Sequence, residues 1–180
     1  RNIFLGRQHN VIYVLMIGFI AAFIHSECFA ADSAAILTQA FKAKLTEHLA
    51  TKTTTKAIQE TTFKPSDIRR IVRNNLNSAL LASASKINGS DFRFIQNEGT
   101  AQIALLILDY PSVETATSMA KQLATSKNYF KNTKILTRFS YTTVNHQLLI
   151  IFTENAGNHA ITQFVDESPQ MLQISNHKTE

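Results

Sequence analysis

The sequence predicts an α+β protein in which two N-terminal helices are followed by two ββα units. The two hairpins are expected to form a four-stranded, mainly antiparallel sheet with helices packed on one face. Three patterns lead to this prediction: apolar residues at four-residue spacing early in the chain, later alternation of apolar and polar residues, and continuous apolar runs over residues 103–108 and 148–152. They are typical of amphipathic helices, half-buried strands and strands covered on at least one face, respectively.

The first 30 residues have the pattern of an export signal. Arg1 and Arg7 precede an apolar run over residues 11–24, and Cys28-Phe29-Ala30 places small residues at the cleavage positions. A basic start, an apolar middle and a small-residue site are typical of a secretory signal peptide. We therefore expect cleavage near Ala30 and a periplasmic or secreted location.

Two other interpretations of this segment stay open. An uncleaved anchor would keep the chain on the membrane, although the run of 14 apolar residues is shorter than the roughly 20 that a spanning helix needs. Lipidation at Cys28 is disfavoured because Glu27 stands where a small residue normally precedes the modified cysteine.

The rest of the chain is predicted to form one domain with a helical extension. The expected organisation is a signal peptide over residues 1–30, a helix and threonine-rich linker over 31–63, a single α+β domain over 64–169, and a C-terminal tail over 170–180. Because the only cysteine, Cys28, leaves with the signal, the hydrophobic core must stabilise the domain without disulfides.

Two helices are expected before the sheet. The first, over about 34–50, has an apolar stripe formed by Leu37, Phe41, Leu45 and Leu49, and the threonines of 51–56 then indicate a linker or a frayed end. The second is expected to begin at Pro65, which suits a first helical turn, and to end near Ser85, before an expected turn at Asn88-Gly89.

The first ββα unit begins with a predicted half-buried strand, in which Phe92, Phe94 and Gln96 alternate with Arg93, Ile95 and Asn97. A turn over residues 97–99 leads to the apolar run 103–108. Ser112 is expected to cap a helix that extends to about Thr125, with an inner face formed by Val113, Ala116, Ala120 and Leu123.

The second unit repeats this plan. Ile135, Thr137, Phe139 and Tyr141 alternate along a strand, and residues 142–145 are expected to turn the chain into the run 148–152. Asn155 is expected to cap the last helix, which should end before Pro169.

The clearest candidate for binding is a basic cluster on the second helix, formed by Lys64, Arg69, Arg70 and Arg73. Residues 31–93 carry ten Lys/Arg against five Asp/Glu, so the positive charge is concentrated in this part of the chain. Such a cluster can bind phosphate or an anionic polymer, and it can equally be the solvated side of an amphipathic helix.

Evidence for catalysis is weaker. The glycines after residue 30 are too scattered for a phosphate-binding loop, and no His-Glu-x-x-His or Gly-x-Ser-x-Gly motif occurs in the sequence. The remaining catalytic hypothesis is a site in which His159 acts with Glu154 or Asp166. The alternative is that each of these is an exposed polar residue.

The sequence therefore favours an exported, non-enzymatic binding or accessory protein that needs neither a metal nor a cofactor. Its expected partner is a protein or another envelope component, including an anionic surface, rather than nucleic acid. The alternatives are an envelope-tethered protein whose basic helices bind anionic lipid or polymer, with membrane contact only if residues 11–24 are retained, and a hydrolase with an unusual His/carboxylate site.

Overall fold

A computed structural model describes residues 33–52, 58–96, 99–125, 138–154 and 157–174. The chain divides into two compact units, residues 1–36 and 37–180. In the first unit only residues 33–36 are described, and they are helical. The predicted signal peptide and its apolar run lie outside the described residues. Within the described ranges, no helix is long and apolar enough to cross a membrane.

The described part of the chain alternates between helices and strands. The first helix, α1, covers residues 33–52. It is followed by β1 (Ile58–Thr62), α2 (Pro65–Asn75), α3 (Ala79–Ala82), β2 (Lys86–Gln96), β3 (Gly99–Asp109), α4 (Val113–Thr125), β4 (Arg138–Val144), β5 (Gln147–Thr153) and α5 (His159–Ile174). The predicted α+β class is confirmed.

In the described part of the chain, the sheet has five strands in the order β1-β2-β3-β5-β4, and every pair of neighbours is antiparallel. The predicted number of four strands is wrong, because Ile58–Thr62 forms an additional edge strand beside β2. Ile58 is the only apolar residue of β1, so the strand has no alternating pattern that could reveal it in the sequence. Residues 53–57 of the predicted linker lie outside the described ranges.

Helices cover both faces of the sheet, so the predicted packing on one face is wrong. On one face, side chains of α2, α3 and α4 form a core cluster with alternate residues of β3 and β5, including Leu106 and Ile150. On the other face, the Phe41 ring of α1 lies 5.2 Å from the Phe92 ring of β2 and 5.4 Å from the Phe164 ring of α5, measured between centroids. Strands that are buried on both sides have continuous apolar sequences, as β3 and β5 do.

The second predicted helix is shorter than expected. The helix ends at Asn75, because the next residue, Leu76, has an extended backbone with φ −129° and ψ −159°. The Asn77 side-chain oxygen then accepts a 2.9 Å hydrogen bond from the backbone N–H of Ala79, which starts the short helix α3. The expected turn at Asn88-Gly89 is also wrong, since both residues lie inside β2.

The helix α4 has the expected position, and the Ser112 hydroxyl accepts a 3.2 Å hydrogen bond from the N–H of Thr115. The inner face of α4 differs from the prediction. Val113, which was expected to face inward, is exposed, whereas Met119, which was not, is buried. The second hairpin turns at Asn145, whose φ is 53°, one residue after the end of β4. The predicted strand positions Ile135 and Thr137 lie outside the described residues.

The last helix, α5, begins later and ends later than predicted. Asn158 accepts a hydrogen bond at the start of α5, from the N–H of Ile161 at 3.3 Å, and the predicted cap Asn155 lies outside the described residues. Pro169 lies inside the helix, which continues to Ile174 and so includes part of the predicted tail. A proline inside a helix leaves the carbonyl four residues earlier without its usual donor. Here that carbonyl belongs to Val165, and the Ser168 hydroxyl donates to it at 2.9 Å.

Candidate functional site

The basic cluster lies on the outer side of α2, because the opposite side of this helix is part of the core. Ile68 and Val72 are completely buried against the sheet. Arg69, Arg70 and Arg73 are exposed. At 100° per residue these three positions fall within one third of the helix circumference, so the guanidinium groups share a face.

Only part of this cluster is neutralised within the described residues. Arg70 donates a 3.1 Å hydrogen bond to Asp67, the one acidic residue in the first turn of α2. Lys64, Arg69 and Arg73 are exposed, and none forms an ion pair with a carboxylate in the described parts of the chain. Lys64 immediately precedes the helix, and its carbonyl accepts hydrogen bonds from the N–H groups of Asp67 and Ile68. These charges are therefore accessible to an anion.

The other arginines of the described chain have a different environment. Arg93 donates a 2.9 Å hydrogen bond to Asp91, whose side chain is 9 % exposed. Arg138 makes two hydrogen bonds to Asp166, which connect β4 to α5. The hydrogen bonds and charge of Asp166 raise the pKa of Arg138 above its usual range. Each of these arginines has a structural partner.

The candidate catalytic residues are not joined into a site. Asp166 is paired with Arg138, whereas His159 is exposed at the start of α5 and Glu154 is exposed after β5. No hydrogen bond or ion pair connects His159 to either carboxylate in the described ranges. The hydrolase hypothesis therefore gains no geometric support and stays a prediction.

A polar cluster that the sequence analysis missed lies at one end of the sheet. Asp109 is 6 % exposed, and its carboxylate accepts hydrogen bonds from the side-chain amides of Gln147, at 2.5 Å, and Asn88, at 3.5 Å. His146 places Nε2 3.9 Å from Oδ1 of Asp109. In the sequence, this cluster is indicated only by two polar residues: Asp109 directly follows one apolar strand sequence, and Gln147 directly precedes the other.

This cluster contains two titratable groups, Asp109 and His146, and its other members are amides. A group of three or more metal-ligating side chains is absent from the described residues. The Asp109 carbonyl also accepts hydrogen bonds from the N–H and hydroxyl of Ser85, at 2.8 and 3.1 Å. The observed contacts thus connect the ends of β2, β3 and β5, which is a structural role.

No known protein family matches the chain, and no curated protein or solved structure shows significant similarity to it. Within the described residues, Lys64, Arg69 and Arg73 are exposed cations without carboxylate partners that lie on or directly before one helix.

Proposed function

We propose that the chain is an exported, non-enzymatic binding or accessory protein that contacts an anionic partner through α2. The observation that carries this proposal is the exposure of Lys64, Arg69 and Arg73 without carboxylate partners in the described structure. Positive charge on one helix face attracts anionic surfaces and polymers over distances of about 10 Å at physiological salt. The proposed location is periplasmic or secreted, and the export pattern of residues 1–30 supports it.

Binding through this face should be mainly electrostatic. Among the described residues of the second unit, the exposed large apolar residues are Ile95 and Val113, and neither belongs to α2. Contact through arginine and lysine alone weakens with salt, because exposed charges are screened. The partner is therefore expected to dissociate as the ionic strength rises.

The test compares two triple variants of the full chain that lose the same charge. Arg69→Gln/Arg70→Gln/Arg73→Gln removes three charges from α2, whereas Lys52→Gln/Lys86→Gln/Lys121→Gln removes three exposed charges from other elements. Binding to phosphatidylglycerol vesicles, polyphosphate and polyglutamate is measured by sedimentation or fluorescence anisotropy. At about 1 kcal/mol per basic residue near an anionic surface, the α2 variant should bind its best probe about 100-fold more weakly.

The control variant should keep most of the affinity. An equal loss in both variants would show that net charge, rather than α2, causes binding. Failure of the unmodified protein to bind any of the three probes would overturn the proposal.

Export is tested separately by intact mass and cell fractionation after expression in a bacterial host. A species that begins at Ala31 and is free of the membrane is expected. A full-length, membrane-bound species would instead favour the tethered alternative, in which residues 11–24 hold the basic face of α2 close to a lipid surface.

A further inference from the structure

The five arginines of the described chain fall into two groups. Three are paired with aspartate: Arg70 with Asp67, Arg93 with Asp91, and Arg138 with Asp166. The other two, Arg69 and Arg73, form no ion pair with a described residue. They are also the two that lie four residues apart on one helix.

This spacing places the two residues next to each other on the surface of the helix. Residues i and i+4 of a helix are neighbours, with a rise of about 6 Å along the axis. Like charges at this spacing weaken a helix. Asp67, the one acidic residue of α2, is two residues before Arg69 and six before Arg73, so it faces neither of them, and it is hydrogen-bonded to Arg70. An anion held between Arg69 and Arg73 would remove this repulsion.

Arginine and lysine differ in the anions that they recognise. The planar guanidinium presents parallel N–H donors that match two oxygens of a phosphate, whereas the lysine ammonium acts as a point charge. A phosphate monoester has three terminal oxygens, so two adjacent guanidinium groups can both contact the same phosphate. A carboxylate has two oxygens, and one guanidinium group occupies both.

We infer that Arg69 and Arg73 form a two-arginine site for phosphate esters. This inference rests on the proposed function and specifies the chemistry that α2 recognises. The phosphate ester can belong to a lipid headgroup or to a small soluble molecule, and the two sources have different consequences in the experiment below.

The experiment measures three probes against the full chain at constant ionic strength. Phosphatidic acid vesicles present a phosphate monoester on a surface, and glycerol phosphate presents a soluble phosphate monoester. Vesicles that carry an equal surface charge from a fatty-acid carboxylate serve as the chemical control. The variant Arg69→Lys/Arg73→Lys keeps the charge but removes the guanidinium groups, and Arg93→Lys is the matched control because Arg93 lies outside α2, in β2, and is paired with Asp91.

We expect the unmodified protein to prefer phosphate over carboxylate, and Arg69→Lys/Arg73→Lys to lose about tenfold in affinity for the phosphate probe, the effect of one charged hydrogen bond. Arg93→Lys should bind like the unmodified protein. Tighter binding to the vesicles than to glycerol phosphate assigns the ligand to a lipid surface, and displacement from vesicles by glycerol phosphate assigns it to a soluble ester.

Equal binding of phosphate and carboxylate vesicles, or an unchanged affinity of Arg69→Lys/Arg73→Lys, would overturn the inference but leave the anionic function of α2 intact. A complete lack of binding to all anionic probes would overturn both. The variant Arg69→Glu separates binding from folding. A Glu four residues before Arg73 should stabilise α2, so its loss of binding with an undiminished melting temperature would place the effect in recognition.

Discussion

At position 89, the close approach of a neighbouring strand leaves no room for a side chain, which explains why the residue is glycine. A Cβ atom at this position would lie 2.9 Å from the carbonyl oxygen of Leu105 and 2.9 Å from Cδ2 of Leu106. The sequence suggested a turn here, because Asn-Gly pairs are frequent in turns. The structure gives another reason for glycine, which is the close approach of β3.

The first prediction concerns Gly89→Ala. The added methyl meets a backbone oxygen that cannot move without disturbing the sheet, so overpacking should cost about 1–3 kcal/mol. That cost exceeds the gain of about 0.5–1 kcal/mol that alanine usually brings over glycine. Urea unfolding measures the difference, with Gly157→Ala as the control because its Cβ would meet nothing within 4 Å. Equal stabilities for the two variants would contradict this account.

The second prediction concerns the buried phenol of Tyr110, which donates a 2.9 Å hydrogen bond to the carbonyl of Leu80. Burial raises the pKa of Tyr110 well above its ordinary value of 10.0. Tyr110→Phe should lower the free energy of unfolding at neutral pH by about 1–2 kcal/mol, the value of a buried hydrogen bond.

The pH dependence of this effect has a definite sign. Below pH 10 the phenol is protonated in both states, and its contribution to stability is complete. Above pH 10 it ionises only in the unfolded chain, so this contribution decreases as the pH rises. Urea midpoints at pH 7 and above pH 10 should therefore fall more steeply for the unmodified protein than for Tyr110→Phe, and parallel curves would exclude this linkage.

The burial of individual residues was predictable where the local sequence has an alternating pattern. Phe92 and Phe94 lie on either side of Arg93 in the sequence, and both are buried in the structure. The cluster around Asp109 was not predictable in the same way, because its partners Asn88 and Gln147 come from two other strands. Only strand order and register bring those three side chains together.

The element α5 depends on a side chain that replaces a missing backbone donor. Pro169 has no N–H, and Ser168, which is completely buried, donates to the carbonyl of Val165 instead. We predict that Ser168→Ala lowers the free energy of unfolding by about 1–3 kcal/mol, because a buried acceptor loses its donor.

A double-mutant cycle isolates this contact. In a Pro169→Ala background, the restored N–H of residue 169 can donate to Val165, so the additional cost of Ser168→Ala should fall below about 1 kcal/mol. Urea unfolding of the four proteins gives the coupling energy. Identical costs in both backgrounds would attribute the effect of Ser168 to another contact, such as the 3.3 Å approach to Ser140.

Among whole elements, the predictable ones had strong periodicity. The helix α4 and the apolar centres of β3 and β5 were expected from their patterns and are present. The edge strand β1 has one apolar residue, and the break after α2 depends on the local geometry of Leu76 and Asn77. Neither feature has a signature as strong as a long apolar stripe.

At the scale of the whole molecule, the decisive feature is burial on both faces of the sheet. Leu105 and Leu106 are adjacent in β3, point to opposite faces, and are both completely buried. The sequence contained this information in its continuous apolar runs, but it did not show which helices cover which face. The same limit applies to α2. Its basic face was predicted, but the sequence did not show that Arg70 pairs with Asp67 or that Arg69 and Arg73 form no ion pair with a described residue.

The role of α1 provides the last prediction, which tests whether this helix is part of the core or an appendage. Phe41 is completely buried and contacts rings from β2 and α5. His48 lies about two turns further along the same helix, and its Nε2 is 2.9 Å from the carbonyl oxygen of Ala160 in α5. These contacts give α1 partners in both the sheet and the last helix.

Phe41→Ala should therefore reduce the free energy of global unfolding by about 3–5 kcal/mol, since it leaves a large cavity in the core. Phe139→Ala removes the same ring from a half-buried position on the edge strand β4 and should cost less. Far-ultraviolet circular dichroism and tyrosine fluorescence, followed together in urea, should give one coincident transition for each protein. If α1 were an appendage, Phe41→Ala would instead produce an early loss of helical signal while the transition of the sheet kept its original midpoint.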